Sequence, residues 1–136
     1  MSKKQATKSN NSREAEVQNA VDAMMNHISA SYPKCPELKY SRQRDVDDII
    51  WRVENSLPYQ KEKSAEAKEK LDNAIFEETA IREKLERESV DEPNTTVYDS
   101  RRERAAQWHE RMEMQLYGME LRLEAAIIVR DLIADE

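Results

Sequence analysis

An all-α fold is what this sequence predicts, and three observations carry the prediction. One glycine and four prolines in 136 residues leave too few turn-formers for a β-fold. Ala, Glu, Lys, Arg, Leu and Met, the strongest helix formers, dominate the rest. From Tyr98 to Glu136 the chain carries no proline and a single glycine, Gly118, under an apolar stripe of Ala105, Trp108, Met112, Leu116, Met119, Leu123 and Ile127. Steps of three and four put that stripe on one helical face. At ~1.5 Å per residue such a helix is on the order of 57 Å long and needs a partner along its length. The expected architecture is a long antiparallel helical hairpin, coiled-coil-like in composition, on a small helical-bundle base.

The elements follow in chain order. Residues 1–10 are polar, and Met1 to Arg13 holds four basic residues and no acidic one. A segment of that composition is expected to be a flexible basic tail. Asn11 can cap a first helix with Glu14 as its capping-box partner, and Val17, Ala20, Val21, Met24 and Ile28 form one apolar face. Pro33 should end this helix near Tyr32, with Pro33 to Tyr40 a connector. Ser41 caps a second helix to about Asn55, with Val46, Ile49, Ile50, Val53 and Leu57 on its stripe and Trp51 off it. These two short helices, residues 11–57, make the base.

Pro58 suits a helix's first turn, so a third helix is expected from there through Glu88. Its apolar face is thin: Ala67, Leu71, Ala74, Ile75, Ile81 and Leu85, interrupted by Glu78. Ser89 to Thr95 reads as a loop, and Thr96 with Asp99 restarts helix. A short loop between long helices makes them antiparallel neighbours, so residues 58–136 form the hairpin. The segment Ala125 to Val129 is apolar on every side and should be buried in the base. Two exposed helices can hide only one seam, which makes self-association the expected remedy.

Charge and chemistry narrow the function classes. With 37% charged residues and a mean hydropathy of -0.96, the chain has little material for a compact core. Beyond the basic first residues, 18 basic face 28 acidic side chains, and such a body repels phosphate backbones. The lone Cys35 forms no internal disulfide, and neither a signal sequence nor an apolar run of spanning length is evident, so a cytoplasmic protein without a membrane segment is expected. His27 and His109 each lack a second ligand at metal spacing, so no metal or other cofactor is expected. Glu66-x-x-Glu69 followed by Glu88-x-x-Asp91 is formally similar to the magnesium-binding pattern of the all-α nucleotide pyrophosphohydrolases. The likeness covers those four acids alone, and the second pair falls at the predicted helix end. The chain is therefore read as a non-enzyme.

The expected function is a helical protein–protein interaction module, an adaptor, assembly factor or inhibitor, that forms a homodimer or higher oligomer. Leu116, Met119 and Leu123 are the expected self-association residues. Trp108 and Met112, with Arg101, Arg102 and Arg104 one to two turns away, are the expected surface for another protein, because aromatic and Arg side chains together make hot spots. Those arginines oppose the helix dipole, and intrachain pairing with Asp91, Glu92, Asp99 or Glu103 is the plain alternative. Gly118 inside a helix costs ~1 kcal/mol relative to Ala, which close helix approach or a bend would explain. The alternative function is a nucleic-acid-associated regulator whose basic tail and first two helices contact phosphates while the hairpin oligomerises.

Overall fold

The computed structural model describes residues 3–136, with side chains from residue 12 onward. Three α-helices follow one another: α1 (Lys3–Ser31), α2 (Lys39–Arg87) and α3 (Thr96–Ala134), and no strand occurs among the described residues. The fold is all-α, with α2 and α3 packed closely as a hairpin. Helix α1 begins at Lys3, so Asn11 lies inside it rather than at its N-terminus. Met1, Ser2 and the side chains through residue 11 lie outside the described residues, and with them the expectation of a flexible tail over 1–10. A 3-10 turn at Pro36–Leu38 fills the connector before α2.

Where two helices were expected on either side of Pro58, there is one of 49 residues with Pro58 inside it. Proline has no N–H for the carbonyl four residues back and normally breaks a helix interior. Here the turns on both sides are anchored by burial, at Val53 before it and Gln60 after it. Just upstream, Asn55 Nδ2 donates to the Trp51 carbonyl at 2.6 Å and Ser56 Oγ to the Arg52 carbonyl at 2.8 Å. Such back-bonding satisfies the polar side chains without leaving the helix.

The chain divides at Pro58 nonetheless, into two compact units. Unit 1 comprises Met1–Leu57 and Tyr117–Glu136, and unit 2 comprises Pro58–Leu116. In unit 1 a cluster of Val17, Val21, Ile28, Val46, Ile50, Ala125, Ala126, Val129 and Ile133 forms an aliphatic core, with Ile49, Leu121, Leu123 and Ile127 packed against it. Both short apolar faces expected of residues 11–57 thus meet the segment Ala125 to Val129, although Ile128 points outward.

Unit 2 is a hairpin stitched in antiparallel register. Gln60 reaches Met112, Lys70 lies over Trp108, Arg102 meets Glu78 and Arg82 meets Asp99, so contacts climb α2 while descending α3. Its turn is built by two caps. Ser89, at a φ of 53°, ends α2 with Val90 N–H bonded to the Leu85 carbonyl at 3.2 Å and Ser89 N–H to that of Glu86 at 3.1 Å. This is the Schellman arrangement, ordinarily made with glycine. At the start of α3 the capping residue is Thr95, not Thr96: its carbonyl takes the Asp99 N–H at 2.9 Å and its hydroxyl donates to Asp99 Oδ2 at 2.9 Å. Asn94 Oδ1 accepts from Thr96 N–H at 3.1 Å, closing an Asx turn.

Candidate interaction surfaces

In unit 2 the hairpin seam explains the side chains that interrupt its apolar pattern. Gln60 Nε2 donates to the Met112 carbonyl at 3.1 Å, and Ser64 Oγ donates to Glu113. Glu78, which breaks the stripe of α2, accepts from Arg82 at 3.2 Å and from Arg102. Arg82 also holds Asp99 at 2.8 Å. The Thr95 hydroxyl and then Arg82 draw the Asp99 carboxyl below its ordinary value, and Asp99 in turn raises the Arg82 guanidinium.

The residues expected to form a partner surface lie together on α3, but several have internal work. Trp108 is half-buried, with Lys70 Nζ 4.7 Å from its ring centre. Met112 is half-buried and supplies the carbonyl for Gln60. Arg101 approaches Glu77 at 3.9 Å and lies 5.8 Å from the Tyr98 ring centre. Arg104 is exposed, its Nε 3.4 Å from the Ser100 carbonyl. Intrachain pairing therefore accounts for Arg101 and Arg102, through Glu77 and Glu78 on α2 rather than the acids near the turn. That choice follows from helix register, which sets α3's second turn opposite residues 77 and 78.

Of the expected self-association residues, Leu123 packs against the core of unit 1, while Leu116 and Met119 are half-buried. The apolar side chains standing in water are others: Phe76 at 74% exposure, Met114 at 67% and Tyr59 at 62% in unit 2. Unit 1 exposes Tyr40 and Trp51.

Unit 1 also contains a polar site the sequence reading passed over. Arg42 is buried, and its Nη1 donates to the carbonyls of Pro33 at 2.6 Å and Cys35 at 3.2 Å, while Nη2 meets Glu136 at 2.7 Å. Lys34 adds a longer contact to Glu136, and Lys39 Nζ donates to the Ala134 carbonyl at 3.2 Å. Cations at the end of α3 satisfy its last carbonyls and complement its dipole. The Arg42 hydrogen bond holds the Glu136 carboxyl below its ordinary value, partly offset by desolvation. A signal existed: Arg42 continues the apolar stripe one turn before Val46, so it had to be inside.

Gly118 does not serve close approach, since a Cβ there would meet nothing within 4 Å. Tyr117 next to it donates to Glu16, which raises the phenol above its ordinary value, and Arg13 bridges Glu124 at 2.7 Å over the same ring.

His109 lies 3.4 Å from Glu113, and Glu66 is taken by Lys63 and Lys70. No group of three or more His, Cys, Asp or Glu side chains placed to hold a metal ion occurs among the described residues. No helix among them is long and apolar enough to cross a membrane. No protein-family model, curated protein or solved structure matches this chain.

Proposed function

We propose that this protein is a non-enzymatic helical interaction module that self-associates and presents unit 2 to another protein, acting in the cytoplasm. One observation carries the reading. Unit 2 buries Ala67, Gln60, Ser64 and Thr95 but no large apolar side chain, while Phe76, Met114 and Tyr59 stand in water. Of the other apolar side chains of unit 2, Leu71, Ile81, Leu85, Trp108 and Met112 are only half-buried, and interfaces are enriched in aromatics and Met. The lone Cys35 supports a reducing compartment.

Trp108, Met112 and the cluster Arg101, Arg102 and Arg104 are the proposed contact surface, extended by Met114 on the same helix. Of the basic residues a phosphate-binding role would draw on, Arg13 is engaged by Glu124, and Lys3, Lys4 and Lys8 have no described side chains. No specific observation favours that role. Sedimentation equilibrium at micromolar concentrations tests the module: the parent should be at least a dimer, and Leu116→Asp, which puts an unpaired charge in the seam, should weaken it. A parent that stays monomeric throughout overturns the self-association.

A further inference from the structure

Charge is not spread evenly over the surface of unit 2. With Ser64, Leu71, Glu78 and Leu85 as the a positions of α2, and Arg102, His109 and Leu116 as those of α3, the g positions of both helices and the c positions beyond them fall on one side of the hairpin. Two contacts mark that side. Lys70 lies over Trp108 and Arg101 beside Glu77, each joining g position to g position. The e positions lie on the other side, where Arg82 meets Asp99.

The c and g positions hold seven basic side chains, Lys63, Lys70, Lys84 and Arg87 on α2 with Arg101, Arg104 and Arg111 on α3, against two acidic ones, Glu66 and Glu77. The rest of unit 2 holds four basic and thirteen acidic residues. A unit that is acidic as a whole thus gathers its cations on one face. Lys63 and Lys70 share Glu66, at 3.7 and 3.9 Å, and Arg101 has Glu77, while Lys84, Arg87, Arg104 and Arg111 have no ion pair among the described residues. Apolar groups share this face: Trp108 is half-buried, Val97 is exposed, and Tyr59 is exposed with Lys63 Nζ 5.4 Å from its ring centre.

We infer that this face binds an acidic amphipathic helix of a partner protein. The inference rests on the reading of Trp108, Arg101 and Arg104 as a contact surface for another protein, and names the chemistry of what they contact. Charge sets the sign of the occupant, and the borders of the face set its width. The next row outward on α2 carries Glu62, Glu69 and Glu83, so the cationic strip is about as wide as one helix, ~10–12 Å. A long phosphate backbone crossing that row is repelled by it. Lys63 and Lys70 also lie over the rings of Tyr59 and Trp108, where a base would stack. A helix laid along α2 from Lys63 to Lys84 covers ~32 Å at ~1.5 Å per residue, about three heptads. Its apolar stripe meets Tyr59, Trp108 and Val97 while its carboxylates meet the flanking cations, the helix-in-groove mode with electrostatic matching.

The probe is a labelled peptide of three EALEEAL repeats, titrated with the full chain in fluorescence anisotropy. At about 50 mM salt it should bind saturably, and it should weaken toward about 200 mM as charge contacts are screened. Arg104→Glu with Arg111→Glu, both exposed, should weaken binding at least about tenfold, whereas Lys61→Glu with Lys68→Glu, the same change of charge at e positions, should leave it within about twofold. If the arginine variant loses helical circular dichroism, Arg104→Gln with Arg111→Gln carries the test, with the same ordering against the lysine variant expected. Equal weakening by both variants means attraction to net charge alone and overturns the inference, as does a peptide that fails to bind. A thymidylate oligomer that binds as tightly as the peptide makes the face a nucleic-acid site and overturns the protein-partner reading with it. Binding of the KALKKAL counterpart in place of EALEEAL overturns the acidic occupant alone and leaves that reading standing.

Discussion

The two units share α2 and α3, unit 1 adds α1, and they close by different chemistry. Unit 1 closes around fully buried Ile28, Val46, Val129 and Ile133, whereas unit 2 closes around Ala67 and three polar side chains and is held by Glu78–Arg82–Asp99, Arg102–Glu78 and Lys70 over Trp108. Aliphatic burial is worth ~25 cal/mol per Å² and is not subject to charge screening. Exposed ion pairs contribute about 0–1 kcal/mol each and are screened. The difference teaches that continuity of a helix says little about uniformity of stability: α2 belongs half to a core and half to a polar zip.

The sharpest way to break this comparison is to cut a large aliphatic in each unit. Ile133→Ala should cost about 2–5 kcal/mol in denaturant unfolding, the range for a fully buried side chain. Leu71→Ala, half-buried in unit 2, should cost clearly less. Equal losses would mean that unit 2 has a core of its own.

Next in size is the polar site in unit 1. Glu136→Ala strands the buried Arg42 guanidinium and should cost on the order of 1–3 kcal/mol. Because the folded carboxyl titrates below its unfolded value, its contribution is complete above the ordinary carboxylate range and is lost as pH falls through the folded value. Thermal midpoints should therefore hold from neutrality to about pH 4.5 and fall below it. In Glu136→Ala that acid-dependent loss should shrink; an unchanged pH profile would remove the pair as its source.

Two backbone substitutions sharpen the picture at about 1 kcal/mol. Gly118→Ala should stabilise unit 1 by roughly that amount, since its methyl meets nothing. Ser89→Gly should stabilise the hairpin turn by up to about 1 kcal/mol, because only there among the described residues does a non-glycine hold a left-handed φ. A destabilising Gly118→Ala in thermal melts would mean that the added methyl meets an obstacle in solution. The smallest effect is ionic strength: hydrogen exchange in residues 74–85 and 99–108 should quicken with salt while the core amides near Val46 and Val129 hold steady.

Much of this was legible from spacing. The apolar faces of α1, of Val46 to Val53 and of Ala125 to Val129 carried enough large side chains to name their own burial. Pro58 misled because a local rule, proline in a first turn, competed with a longer one. The positions 46, 50, 53, 57, 60, 64, 67, 71, 74, 78, 81 and 85 keep helical spacing straight through it, and the seam stayed hidden because Gln60, Ser64 and Glu78 occupy apolar-type positions. Arg42 was missed for the same reason. Each buried polar group is intelligible only with its partner, Met112, Glu113, Arg102 or Glu136, and those partners lie from 24 to 94 residues away. Ser89 gave no signal, because glycine is the residue its conformation advertises. The exposure of Phe76 and Trp51 followed from the stripe they miss.

Unit 1 is discontinuous, its two segments separated along the chain by the whole of Pro58–Leu116. Before its core can form, residues near Val46 must find residues near Val129, across a stretch whose closure entropy opposes them. Unit 2 shortens that search, since its contacts grow outward from the eight-residue turn and bring Gln60 to Met112 early. The half without a large buried aliphatic is therefore the half expected to set the folding rate. Loosening its turn should slow refolding and leave the unfolding arm of the chevron almost unchanged, whereas Ile133→Ala should chiefly speed unfolding.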